Sequence, residues 1–254
     1  MNAKPSALPV DELDLTRPPV SLVVCQVRHE TLPAACSPAA ALAIDAALGW
    51  DTRLEEHQPL PAPLADTETP SAPPVGTVAR GWRMQSVDGE WSVTVQADHF
   101  TIETSCYPGW EAFLRRARTL VEAVQATVQP EIEQRIGLRY VNQLQHPDVA
   151  QPADWRSLIS DALYQDTLYT SAGADLQAAM QVVDLQPEPA HRIVMRHGFQ
   201  LREGLAYVLD SDCSRQKQRT FETEAIIASL EHLHCMARSA FVWATTKDLR
   251  TYYA

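Results

Sequence analysis

Two acidic residues with one position between them, Asp210 and Asp212, end a segment with the alternation of a β-strand. Because successive side chains of a strand point to opposite faces, both carboxylates are predicted on one face of a sheet. Paired carboxylates can bind Mg²⁺ or Mn²⁺, and Glu222 or Glu224 could complete such a site. The alternative is that these acids are solvated groups that close a strand and begin a helix.

Four arginines lie in predicted strands among apolar neighbours: Arg28, Arg139, Arg192 and Arg196. A guanidinium in the interior of a sheet needs a carboxylate or an anionic ligand beside it. One interpretation is a pocket that binds phosphate or a nucleotide. The other is that each guanidinium pairs with an acid on a neighbouring strand, such as Glu103.

Two histidines of a predicted long helix, His232 and His234, are only two positions apart. Side chains at that spacing point in nearly opposite directions, so the pair cannot share one ion. The glycine motifs of serine hydrolases, P-loop proteins and dinucleotide-binding proteins do not occur in the sequence. We therefore expect no cofactor and, apart from the aspartate alternative, no metal, and the sequence leans away from an enzyme.

The elements that must position these residues begin with a buried strand at 20–30. Ser37 and Pro38 predict the start of a short helix that ends at Gly49. The dipeptide Asp88-Gly89 predicts a hairpin with a two-residue turn. The remaining elements of this half are strands at 79–87, 90–96, 99–105 and 134–144 and a helix at 108–128.

The second half repeats the order of three strands and a helix. The predicted elements are strands at 175–184, 191–201 and 205–212 and a helix at 220–243, with Thr220 as its cap.

Antiparallel strands with helices packed on one face predict an α+β fold, built here from two strand-strand-strand-helix units. We expect a disordered segment at 1–17, a first unit over 18–145 and a second over 146–254. Six prolines between 59 and 74 predict a long loop at 51–78 and not a core element. One continuous domain is the alternative, in which the two sheets merge.

The chain has 254 residues and a net charge of −11. This acidic balance argues against nucleic acid as a direct ligand, because nucleic-acid-binding proteins usually carry a basic footprint. The sequence lacks an apolar run long enough for a membrane helix, and its start does not resemble a signal peptide. Five cysteines without a C-x-x-C pair fit a reducing compartment, so we expect a cytoplasmic protein.

Five segments resemble, in this order, a sporadically distributed family of uncharacterised bacterial proteins of about this length. The segments are PPVSLVVCQVR, WRMQSVDGEWSVTV, YPGWEAF, RIGLRYVNQL and FVWATTKDLR. The likeness runs from residue 18 to residue 250. It implies no catalytic residue, but the patchy distribution is similar to that of toxin–antitoxin and anti-phage defence genes.

The functional prediction is a non-enzymatic interaction protein, an accessory or neutralising partner in a bacterial toxin–antitoxin or defence context. Its acidic surface favours a basic protein partner, and formation of a homo-oligomer stays open. One alternative is a divalent-metal-dependent enzyme that acts on a phosphodiester or nucleotide through Asp210 and Asp212. The other is a module that binds an anionic small ligand against the strand arginines.

Overall fold

The computed structural model of the chain describes residues 15–57, 81–164, 177–201 and 204–254. The predictions of disorder for residues 1–14 and of a loop over 58–78 therefore lie outside the described residues. No helix among the described residues is long and apolar enough to cross a membrane.

Within the described residues, ten strands form one antiparallel sheet with the order β2-β3-β4-β5-β1-β6-β9-β8-β7, and β10 pairs with β6. The strands are β1 (Val20–His29), β2 (Thr52–His57), β3 (Gly81–Ser86), β4 (Trp91–Val95), β5 (His99–Thr104), β6 (Ile132–Leu144), β7 (Ala178–Glu188), β8 (His191–Gln200), β9 (Ala206–Arg215) and β10 (Arg219–Thr220).

The helices of the described residues are α1 (Pro38–Leu48), α2 (Trp110–Thr127), α3 (Thr223–Ala244) and α4 (Lys247–Tyr253), with 3₁₀ turns at Pro33–Cys36 and Pro152–Ser157. The helix α4 was not predicted from the sequence.

The boundaries of α1 confirm the prediction made from its capping residues. The Ser37 hydroxyl accepts a hydrogen bond from the Ala40 N–H at 3.1 Å, and Pro38 is the first helical residue. Gly49 ends the helix with φ of 68°, a left-handed conformation that glycine adopts at little cost.

The predicted cap of α3 was wrong. Thr220 belongs to β10, where it pairs with Ile132, and the helix begins after Glu222, whose side chain makes no capping hydrogen bond. A threonine before a helix fits a short strand as well as a cap, so local sequence did not separate the two.

The hairpin of β3 and β4 exists, but its connection is longer than the predicted two residues. Only Gly89 of the Asp88-Gly89 pair has positive φ, at 77°. Asp88 instead accepts a hydrogen bond from the Glu90 N–H at 3.0 Å, and the Ser86 hydroxyl accepts one from the Trp91 N–H at 2.9 Å. These side-chain contacts stabilise a four-residue loop, which is the next common hairpin form.

The predicted loop at 51–78 starts later than expected, because Thr52–His57 forms the edge strand β2. Its pairing with β3 places Leu54 opposite the buried Met84. The segment is rich in charged residues and poor in β-branched ones, so propensity did not indicate a strand. Pairing with β3 determines its conformation.

The sheet has one face against the helices, and this arrangement creates the core. Ile136 and Leu138 of β6 are buried in a single hydrophobic cluster with Phe113 of α2 and Leu230 of α3. Since side chains alternate along a strand, Arg135 and Arg139 of β6 point to the opposite face, here called the polar face. The predicted α+β class is thus confirmed, as one large antiparallel sheet with helices.

Candidate functional site

Two of the predicted arginines meet one of the predicted aspartates on the polar face. Arg139 donates to Asp210 through both Nε and Nη2, at 2.7 and 2.8 Å, and Arg196 Nη1 lies 3.6 Å from the same carboxylate. The register of the sheet brings Arg196 to this carboxylate, because Arg196 of β8 lies directly opposite Asp210 of β9. The Asp210 side chain is only 7% exposed, and its hydrogen bonds raise the pKa of Arg139 above the ordinary value.

The other two predicted arginines have carboxylate partners elsewhere. Arg192 donates to both oxygens of Asp184, across the β7–β8 pair. Arg28 donates to Asp98 at 3.1 Å, near the end of β1. The structure therefore does not gather the four guanidiniums into one pocket, and each has an acid beside it. Glu103, named as an example partner, instead pairs with Arg83.

The two predicted aspartates share the polar face, but both carboxylates contact guanidiniums. Arg135 Nη2 donates to Asp212 at 3.3 Å, while Asp210 is bound by Arg139. Within the described residues, Asp210, Asp212 and Glu222 are not brought together as a three-ligand group. A divalent ion there would have to displace two arginines, each of which also neutralises the charge that would attract the ion.

A concave feature with a largely apolar lining lies on the other face, between the sheet and the two long helices. This aromatic cavity of about 330 Å³ is bounded by the start of α2, the middle of α3 and the centres of β6 and β9. Its lining residues are Leu15, Pro18, Val20, Tyr107, Gly109, Trp110, Tyr140, Asn142, Ser211, His234, Ala237, Arg238 and Phe241.

A connected set of rings forms one wall of the aromatic cavity. The Tyr140 hydroxyl is 2.9 Å from His234 Nδ1, and the His234 ring stacks on Trp110 with a centroid distance of 4.0 Å. Tyr107 meets Tyr140 edge to face at 5.7 Å. These contacts hold a phenol, an imidazole and an indole in fixed positions around the same space.

Burial sets the protonation of the rings. It raises the pKa of Tyr107, and it raises that of Tyr140 well above the ordinary value. Burial, together with the nearby charge of Arg238, lowers the pKa of His234 to about 3. Both phenols and the imidazole are therefore neutral near pH 7, so the aromatic cavity offers neutral hydrogen-bonding groups and one guanidinium.

Apart from His234, which was considered only as a metal ligand, the residues of the aromatic cavity were not predicted as a site from the sequence, because each is typical of core or helix surface in its own segment. Two of the segments quoted in the sequence analysis nevertheless contain several of these residues. YPGWEAF contains Tyr107, Gly109 and Trp110, and RIGLRYVNQL contains Tyr140 and Asn142. Segments far apart in the chain thus meet at one cavity.

The directions of the two helix histidines agree with their spacing. His234 faces the aromatic cavity, whereas His232 lies beside Glu188 at the end of β7. The prediction that they do not share one ion is consistent with this arrangement.

No protein-family model matches the chain, and a search of curated proteins found no significant match. The resemblance to the bacterial family stays a prediction.

Proposed function

We propose that the protein binds a small anionic molecule with a flat apolar body in the aromatic cavity, without carrying out a reaction on it. The observation that carries the proposal is the charge of the lining. Among the described residues that line the cavity, Arg238 is the one with a permanent charge and none carries a carboxylate, although the chain has a net charge of −11. The charge of Arg238 favours an anionic ligand over a cationic one.

The shape and polar groups of the aromatic cavity support the same class of ligand. Its volume is near the lower end of the range for small-molecule sites, about 300–1,000 Å³. Trp110 and Phe241 provide apolar surface, while Asn142 and Ser211 add polar groups at the sheet. The start of α2 also lines the cavity at Gly109, where no side chain caps the helix. The N–H groups at the start of a helix favour a negative charge.

Benzoate and benzamide form a matched pair of probes, because they share a ring and differ in charge. We expect benzoate to raise the melting temperature and benzamide to have little effect. Arg238→Met should weaken benzoate binding about 10- to 100-fold, the size of a lost charged hydrogen bond. Isothermal titration calorimetry measures the change.

The control for this experiment is Arg196→Met, which removes a guanidinium from the polar face and should leave benzoate binding unchanged. Equal weakening by both variants, or equal binding of benzoate and benzamide, would contradict the proposal. Native mass spectrometry of freshly purified protein would identify a natural ligand that survives purification.

A second candidate function, the predicted protein-binding role, has support from β7. Among the described residues, β7 is an edge strand that pairs only with β8, and it exposes Met180 and Val182 by 50% and 66%. An exposed edge with apolar side chains can accept an extended segment of another protein as an added strand. The net charge favours a basic partner, and the toxin–antitoxin or defence context stays a prediction.

Val182→Lys tests the binding role of β7, because a charge on an edge strand discourages strand addition. We expect tagged wild-type protein to retain a stoichiometric partner from its native host and Val182→Lys to lose it. Leu42→Lys, which changes an exposed leucine of α1, is the control. If both variants retain the partner, β7 is not the binding surface. If instead the purified wild-type protein is a dimer and Val182→Lys dissociates it, the strand added to β7 belongs to a second copy of the chain.

We also propose that the sheet consists of two units of one topology. Its support is the strand order: β3-β4-β5 and β7-β8-β9 are each consecutive antiparallel neighbours followed by a long helix. The last strand of each set lies beside β1 or β6, and those two strands pair with each other in the middle.

A further inference from the structure

Three side chains that can bind a metal ion meet at the far end of the β7–β8 hairpin. Glu188 ends β7, His191 begins β8, and His232 reaches the same point from α3. Their ligand atoms lie within 4.8 Å of one another, and they form the one such group among the described residues. The three residues are unrelated to the aromatic cavity, which faces the other side of α3.

Two of the three distances within the group match those of a tetrahedral zinc site. Zinc bonds of about 2.0–2.2 Å to nitrogen and oxygen place neighbouring ligand atoms about 3.3–3.5 Å apart. Glu188 Oε2 is 3.3 Å from His191 Nδ1 and also 3.3 Å from His232 Nε2. The two imidazole rings have a centroid distance of 4.8 Å. One carboxylate oxygen thus lies at ligand spacing from two imidazole nitrogens.

The contacts within the group do not satisfy its own polar atoms. His191 Nδ1 is buried and makes no hydrogen bond by distance and angle among the described residues. At 3.3 Å, the contact with Glu188 is longer than the charge-assisted hydrogen bonds usual for such a pair, about 2.7–2.9 Å. A neutral imidazole has one unprotonated ring nitrogen, so His191 can serve as a metal ligand beside the Glu188 carboxylate.

The guanidiniums nearest the group are held by other carboxylates, one of which, Glu133, is shared by Arg215 and Arg219. Arg215 of β9 lies opposite His191 in the sheet, but it donates to the fully buried carboxylate of Glu133 at 3.1 Å. Arg192, the next residue along β8, is likewise paired with Asp184. The group itself contributes one negative charge and two imidazoles.

We propose that Glu188, His191 and His232 bind one Zn²⁺, with the fourth position open to water. Two imidazoles and one carboxylate are the ligand set of several open zinc sites, whereas Mg²⁺ prefers oxygen ligands. Binding links the β7–β8 hairpin to α3, so the ion stabilises the folded chain. This site was not predicted from the sequence, because His232 was compared only with His234, its neighbour on the same helix.

The test uses chelator-treated full-length protein and titrates it with zinc chloride in a calorimeter. We expect one Zn²⁺ per chain and a higher melting temperature, because a ligand that binds only the folded state stabilises it. His232→Ala, a change at an exposed position, should weaken binding by more than about 100-fold, since loss even of a supporting residue costs about 10–100-fold. Glu188→Gln should also weaken zinc binding, and Mg²⁺ should not bind to the wild-type protein.

Cys235→Ser is the matched control, because Cys235 is an exposed potential ligand on the same helix. This variant should bind zinc as wild type does. The proposal fails if wild type binds no zinc, if His232→Ala and Glu188→Gln bind it as tightly as wild type, or if Cys235→Ser alone abolishes binding.

Discussion

At the scale of single residues, burial of histidine determines how the protein responds to acid. His197 of β8 is fully buried, and its Nδ1 atom lies 2.8 Å from the Tyr207 hydroxyl. Burial alone lowers the pKa of His197 below its ordinary value of 6.5. As the pH falls below that value, the unfolded chain takes up a proton that the folded chain does not, so the folded state loses stability.

We expect the free energy of unfolding to decrease between pH 7 and pH 5, with a contribution from His197 of up to about 1.4 kcal/mol per pH unit. His197→Asn should make this slope shallower without abolishing it, because burial also lowers the pKa of His29. Urea denaturation at both pH values measures the slope. Tyr207→Phe is the control, because it keeps His197 buried and should keep the wild-type dependence of the unfolding free energy on pH. If that dependence is lost in Tyr207→Phe, the Tyr207 hydroxyl is its cause and not the burial of His197.

At the scale of elements, one glycine permits the pairing of β7 with β8. Gly198 lies opposite Met180 and has φ of 151°. A β-carbon at this position would lie 1.8 Å from the Ala179 carbonyl oxygen, far inside any permitted contact. The backbones of the two strands can therefore approach only because residue 198 has no side chain.

Gly198→Ala should destabilise the protein by at least about 1–3 kcal/mol, the cost of an unfavourable backbone conformation, with the steric clash in addition. Urea denaturation measures the change. Gly137→Ala of β6 is the control, because its β-carbon would meet only the flexible end of Arg135 and should cost much less. Similar losses in both variants would show that the Ala179 contact is not the cause.

At the scale of the whole molecule, the sequence predicted the elements better than their arrangement. Alternation and capping residues such as Ser37 located most strands and helices because those signals are local. The order of the sheet depends on which strands bury each other's apolar faces, and local pattern does not contain that information. The edge strand β2 was missed for the same reason, since β3 determines its conformation.

The candidate sites show the same division between local and distant information. The pairing of Arg196 with Asp210 follows from register between β8 and β9, which the strand predictions alone could not supply. Tyr140 and His234 are 94 positions apart and meet in the aromatic cavity only after folding. Spacing along one helix did correctly separate His232 from His234, because helical geometry is local.

The central strand pair also sets an order of events during synthesis. Gln26 of β1 and Arg135 of β6, whose side chains touch across that pair, are 109 positions apart in the chain. On the ribosome, β1 emerges before β6. Until β6 has emerged, the edge of β1 that pairs with β6 has no partner. Contacts between such distant segments slow folding and leave strand edges exposed to other chains. The nascent protein therefore has an unpaired edge on β1 until residue 144 has left the ribosome, and an unpaired edge on β6 until β9 has followed.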